Sequence, residues 1–251
     1  MQLELAGKTA LVTGSSRGIG RAIAQALHDE GVRVALNGCT AADVTLAVSE
    51  LPSSIAIVGD VTRPDEARRV VSDATAALGG LDILVCNVGS GRSVPPGEET
   101  FAEWQRVFAM NLWSTTNTVE AAREALAAST GVIVCVSSIC GLEVIPGAPV
   151  TYSAAKAALH AYVRGIARPL GRQGIRINAI APGNILFDGS VWSRKLQEDA
   201  SAVDSMLERD VALAKLGSPR DVAELVAYLA SPISGFASGA VWTLDGGQAH
   251  S

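Results

Sequence analysis

Aromatic residues are scarce in this chain, 4% of 251, and no pattern in it suggests a disulfide or metal framework. Its four cysteines (Cys39, Cys86, Cys135, Cys140) lack CxxC spacing, and its three histidines (His28, His160, His250) form no ligand constellation, so no metal site is expected. Cys86 and Cys135 sit in apolar runs and read as buried, reduced thiols. Runs of Lys or Arg are missing too. The formal charge of −5 is mild and spread along the chain, which argues against a nucleic-acid or anionic-membrane partner. No segment is long and apolar enough to span a bilayer, and the opening "MQLELAGKTALVTG" lacks the pattern of a secretory leader. A cytoplasmic protein without a membrane partner is the expectation. What is present is 48% hydrophobic sequence, rich in Ala, Val, Leu and Gly, enough to bury one large core. A single domain over 1–251 is expected.

Short, nearly continuous apolar runs alternate with amphipathic segments from end to end. The runs at 9–13, 32–37, 54–58, 81–86, 131–137, 175–180 and 239–244 read as strands buried on both faces of a parallel sheet. Helices are predicted near 19–30, 41–50, 64–78, 101–128, 152–171 and 219–230. Thr100-Phe-Ala-Glu103 has capping-box form, and Ser218-Pro219-Arg-Asp221 puts Pro at a first helical position. Such alternation predicts a doubly wound α/β sheet, seven strands by this count, with functional residues beyond the carboxyl ends of the strands.

Directly after the first run comes "TGSSRGIGRAIAQAL". Gly14, Gly18 and Gly20 fall between a strand and a helix, where glycines permit a tight turn and let a pyrophosphate approach the helix N-terminus. A carboxylate at the end of the second strand would bind an adenosine ribose 2′-hydroxyl and repel a 2′-phosphate. That place is taken by Gly38, and nothing acidic occurs before Asp43. Arg17 offers a guanidinium suited to a phosphate, and Thr40 a hydroxyl, so NADP(H) is expected over NAD(H).

Further on, "TYSAAKAALHAYV" sets Tyr152 four residues before Lys156, on one helical face. A phenol is a poor acid–base catalyst near neutrality, and an ammonium one turn away favours its phenolate. Taken with the glycine loop, the chain resembles the short-chain dehydrogenase/reductase family along nearly its whole length. Thr13-Gly14-x-x-x-Gly18-x-Gly20 matches the family's cofactor loop, Asp60-Val61 its adenine contact, Asn87-Val88-Gly89 its Asn-Ala-Gly turn, and Pro182-Gly183 its nicotinamide-side turn. Asn111, Ser138, Tyr152 and Lys156 match its catalytic tetrad. The resemblance implies a Rossmann-like fold and hydride transfer between nicotinamide and a carbonyl or secondary alcohol. It also implies that Tyr152 exchanges the proton, Lys156 tunes Tyr152 and binds the nicotinamide ribose, Ser138 donates to the substrate oxygen, and Asn111 holds a water. The cofactor residues it implies are Gly14, Ser16, Arg17, Gly18, Ile19, Gly20, Asn37, Thr40, Asp60, Val61, Asn87, Gly89, Tyr152, Lys156, Pro182, Gly183 and Ile185. A homotetramer built on the helices near 101–128 and 152–171 is implied as well.

Several departures bear on the substrate. Phe187 stands near the place of a Thr that often contacts the cofactor, which suggests an aromatic wall. The stretch 188–213 looks longer than in compact relatives and reads as a helical lid, with Trp192, Arg194 and Lys195 as candidate contacts. The turn after Asn87 is extended through Arg92 and Ser93. Glu143 and Ile145 fall in a loop one residue longer than usual, and Pro169 should kink its helix. The beta-ketoacyl-(acyl-carrier-protein) reductases are the most similar members, yet "EALAASTG" before the fifth strand carries no cation for an acidic carrier, although Arg172 and Arg176 lie elsewhere. A free small carbonyl or alcohol is at least as well supported. An NAD(H)-preferring dehydrogenase of a sugar, polyol or hydroxysteroid-like alcohol is the alternative. A non-catalytic dinucleotide sensor fits less well, because the whole tetrad is kept.

Overall fold

The computed structural model describes residues 2–250; Met1 and Ser251, the ends of the expected domain, lie outside them. Strand and helix alternate as β1 (Thr9–Val12), α1 (Gly18–Asp29), β2 (Arg33–Gly38), α2 (Ala41–Ser49), β3 (Ile55–Val58), α3 (Pro64–Leu78) and β4 (Ile83–Cys86). Then come α4 (Phe101–Phe108), a π-helical turn at Ala109–Trp113, α5 (Ser114–Ser129), β5 (Val132–Val136) and α6 (Val150–Gly171). The chain finishes with β6 (Arg176–Pro182), α7 (Val191–Glu198), α8 (Ala200–Asp210), α9 (Pro219–Ala230) and β7 (Val241–Leu244). The seven strands form one parallel sheet in the order β3-β2-β1-β4-β5-β6-β7. Strand order reverses between β1 and β4, which opens a crevice at their carboxyl ends.

Alternate strand residues feed two separate cores, as a side-chain period of two requires. Val132, Val134 and Val136 of β5 face the layer of α1, α2 and α9, whereas Ile133 and Cys135 face α3, α5 and α6. The five inner strands are buried on both faces, but the outermost two are not. Ala56 of β3 and Thr243 of β7 are exposed, because an edge strand has a neighbour on one side only.

Two start signals behave differently. At α9, Ser218 and Asp221 bond reciprocally behind Pro219, a complete capping box. At α4, Thr100 Oγ1 accepts the Glu103 amide at 3.2 Å, but the Glu103 carboxylate turns to Ser93 and Arg106. The box there is half made. α6 runs through Pro169 to Gly171. The predicted lid is two helices, since Asp199 ends α7 and caps α8 by accepting the Ala202 amide at 2.9 Å.

Candidate active site

Beyond β1 the chain turns through Gly14 (φ +61°) and Gly18 (φ +56°) into α1. Both lie in the left-handed region, where a side chain is strained. Gly20 is required by space rather than by φ: a Cβ there would lie 2.4 Å from the Gly14 carbonyl oxygen and 2.5 Å from Asn87 Nδ2. Arg17, exposed, is the N-cap of α1 and makes no capping bond, and no acidic residue occupies the first turn. Free amides and a positive helix end therefore face a cradle of glycine, which fits a dinucleotide pyrophosphate.

The residues around the cradle divide into those that shape it and those that face it. Asn37 shapes it. Its buried side chain donates to the carbonyls of Ile57 and Gly59, both at 3.1 Å, and receives the Gly14 amide at 3.5 Å, so it ties β2 to β3 and the loop instead of reaching outward. Asn87 does the same through the carbonyls of Thr13 and Gly14. Ser16, Thr40 and Gly38 border the open end of β2, with no carboxylate on the strand. Asp60 accepts Thr62 with one oxygen, and Val61 is buried. Past β6, the Gly183 amide donates to Leu244 at 3.0 Å, and Ile185 bridges to Gly217. Phe187 lies on the cradle itself, since a Cβ on Gly18 would come within 2.7 Å of its ring. The expected aromatic wall is thus the residue just before the lid, seated on the glycine loop.

The tetrad residues converge at the carboxyl ends of β4 and β5. Tyr152 and Lys156 share one face of α6, with Lys156 Nζ 5.8 Å from the phenol ring centroid. Lys156 is 3% exposed and donates to the Val136 carbonyl at 3.0 Å. Burial pushes Tyr152 up and Lys156 down to about 8; a hydrogen bond from Ser138 partly offsets the rise at Tyr152. Ser138 Oγ accepts the Cys140 amide at 3.1 Å, which leaves its proton free to donate. Asn111 lies in the π turn, where its amide grips the Ser90 main chain at 2.9 and 3.1 Å and the Val107 carbonyl at 3.0 Å. It anchors the loop after β4 beside Gly89, whose Cβ position would be 3.1 Å from Lys156 Nζ.

Around this centre the loops brace one another. Ser93 bonds Glu103 at 2.7 Å and Thr151 at 2.6 Å, and Arg106 with Ser93 holds the Glu103 carboxyl down at about 2. Ser93 is therefore a brace, not a free pocket hydroxyl. Arg92 remains exposed and reaches the Gly189 carbonyl at the root of the lid, 3.5 Å away. In the lid, Val203, Leu207 and Val211 pack with Trp192, Leu196 and Met206, and Lys195 lies 4.6 Å over the Trp192 ring. Trp192 thus serves the lid's own core, and Arg194 is solvated. Glu143 accepts the His250 amide at 3.2 and 3.3 Å, so the segment after β7 straps the loop carrying Glu143 and Ile145. Sequence reading missed that strap and the pair Ser137–His160, whose bond joins residues 23 apart with no local signature.

Comparison with known proteins agrees with this geometry. Residues 14–249 match a family model described as Enoyl-(Acyl carrier protein) reductase. The 3-oxoacyl-[acyl-carrier-protein] reductase of Staphylococcus epidermidis is 34% identical over 247 residues, covering 96% of this chain and 98% of its own. Glucose 1-dehydrogenase of Gluconobacter oxydans is 33% identical over 254 residues, covering 96% and 92%. Among solved structures, L-sorbose reductase from Gluconobacter frateurii, complexed with NADPH and L-sorbose, superposes with a TM-score of 0.93 at 26% identity and full coverage of both chains.

Proposed function

The chain belongs to the short-chain dehydrogenase/reductase family, oxidoreductases acting on CH–OH groups with NAD(P), and from that membership we propose an NADP(H)-dependent carbonyl reductase, reversible as a secondary-alcohol dehydrogenase, with Tyr152 as general acid and base. The observation that carries this reading is the meeting of Tyr152, Lys156 and Ser138 beside a glycine cradle that faces no strand carboxylate. A bound nicotinamide supplies or accepts the hydride. In reduction, the Ser138 hydroxyl donates to the substrate oxygen, on which negative charge develops, and Tyr152 delivers the proton. Burial keeps the phenol protonated until then. Lys156, charged at neutral pH with a pKa near 8, stabilises the phenolate that remains. Asn111 holds the loop after β4 in place, and the cofactor contacts expected of Ser16, Arg17, Ile19, Thr40, Asp60, Val61, Pro182, Gly183 and Ile185 belong to the same proposal.

A preference for NAD(H), with a sugar or polyol as substrate, is the second reading. It is favoured by the negative field of Asp60 and Glu66, which adds to burial in pushing up the Cys39 thiol at the end of β2. An acidic carrier protein finds less support, because Arg176 is committed to the carbonyls of Ala237, Leu229 and Ser231. Among the described residues no helix is long and apolar enough to cross a membrane. A homotetramer is part of the proposal, supported by the exposed aromatics Phe101 and Trp113 on the helices near 101–128 and by Phe236 on a second face, and a cytoplasmic location is proposed with it.

The test is turnover of NADPH and of NADH with a β-ketoester and L-sorbose, and of the oxidised cofactors with glucose. NADPH should be the faster donor. Tyr152→Phe should lose about a thousandfold in turnover while binding NADPH as before; full activity in that variant would overturn the mechanism.

A further inference from the structure

The bend that carries Ser138 is closed from within by two residues the acid–base centre does not use. Ser137 Oγ and His160 Nε2 lie 2.7 Å apart, both buried. Ser137 immediately precedes Ser138, and its amide is held by the Ile180 carbonyl at 2.7 Å. His160 stands one helical turn beyond Lys156 on α6. The far end of the bend rests on the same ring: a Cβ on Gly141 would lie 2.7 Å from His160 Cε1 and 2.6 Å from the Lys156 carbonyl carbon. The imidazole therefore fills the inside of residues 137–141, with Ser138 carried on the outside. Burial holds His160 down at about 4, against a pull upward from the Gly141 main chain and with repulsion from Arg164 and Lys156 adding to the drop. The ring is neutral through the physiological range, able to bond Ser137 without placing a second cation beside Lys156.

We propose that Ser137 and His160 are positioning residues that hold the Ser138 hydroxyl in register with Tyr152. The proposal rests on the acid–base reading of Tyr152. Ser138 spends an acceptor site on the Cys140 amide and has one proton to give. The bend is closed on itself by the Gly141 amide on the Ser138 carbonyl at 3.1 Å, and its two ends set how that closed turn, and with it the hydroxyl, faces α6. Ser137 is pinned through its side chain and Gly141 through its contact with the ring. A hydroxyl displaced by a fraction of an ångström loses much of its bond to the phenolate. The phenol then titrates higher, because the bond from Ser138 favours its ionised form.

The test is an ultraviolet difference titration of the NADP+ complex, each protein measured against the same protein carrying Tyr152→Phe, with thermal melting alongside. Ser137→Ala and His160→Leu should each raise the Tyr152 midpoint by about one unit, with NADP+ affinity unchanged. His160→Gln, whose amide reaches the place of Nε2, should restore the wild-type midpoint. The double variant should shift it no further than either single one, since both remove the same bond. A role in stability alone would lower the melting temperature and leave the midpoint in place, and that result overturns the proposal. So does His160→Gln behaving like His160→Leu. If His160→Leu fails to fold, Ser137→Ala, which removes one oxygen, decides the matter. Full turnover in Tyr152→Phe would sink the acid–base reading itself and this proposal with it.

Discussion

Gly20 has no slack on any side: a Cβ would meet the Gly14 carbonyl oxygen at 2.4 Å and the Ser15 Cα at 2.9 Å. Gly20→Ala should therefore displace the loop backbone and weaken NADPH binding at least about tenfold in fluorescence titration, a cost of roughly 1.4 kcal/mol. Arg17 is the opposite case, exposed and without structural bonds of its side chain among the described residues. Arg17→Ala should weaken NADPH by about tenfold and leave NADH unaffected, because only the 2′-phosphate distinguishes them. His160 sets an acid limit on stability. Its folded pKa of about 4 lies below the value near 6.5 of an unfolded chain, so protons bind the unfolded state first as pH falls. The stability of the neutral ring is complete above pH 6.5 and drains as pH falls toward 4. Denaturant melts at pH 5 should show a loss of roughly 2 kcal/mol relative to pH 7 that is absent in His160→Gln.

At the scale of elements, periodicity was legible wherever a segment had one dominant environment. The inner strands β1, β2, β4, β5 and β6 are apolar nearly throughout because both faces are covered, with Asn37 of β2 and Asn178 of β6 as buried exceptions that bond to neighbouring main chain. β3 and β7 looked alike in sequence yet became edges, since which strand lies outermost depends on winding order and not on any run's composition. Capping showed the same division. Ser218 and Asp221 close their box because nothing nearby competes, and Ser218→Ala should cost about 1 kcal/mol, a fall of roughly 2–4 °C in melting temperature. Glu103 abandons its box because Arg106, one turn on, and Ser93, ten residues back, make stronger bonds to its carboxylate. The break of the lid at Asp199 carried a cap signal that a continuous helical reading passed over.

For the molecule as a whole, the exposed aromatics Phe101, 77% exposed, and Phe236, fully exposed, lie far apart in sequence on surfaces that none of the described residues covers. Light scattering should find a tetramer, and Phe236→Asp should convert it to smaller species; a wild-type monomer at micromolar concentration would contradict the assembly proposed. The sequence by itself determined the order of strand and helix, the glycine loop and the face shared by Tyr152 and Lys156, because those depend on spacings within one element or one turn. Only the tertiary structure decided that Asn37 ties the cradle instead of facing it, that Phe187 lies on Gly18, that the tail at His250 straps Glu143, and that His160 stands inside the Ser138 bend. Each of those joins residues more than fifteen positions apart. Such contacts are fixed by how helices dock onto the sheet, and docking depends on the whole packed surface, which no local pattern encodes.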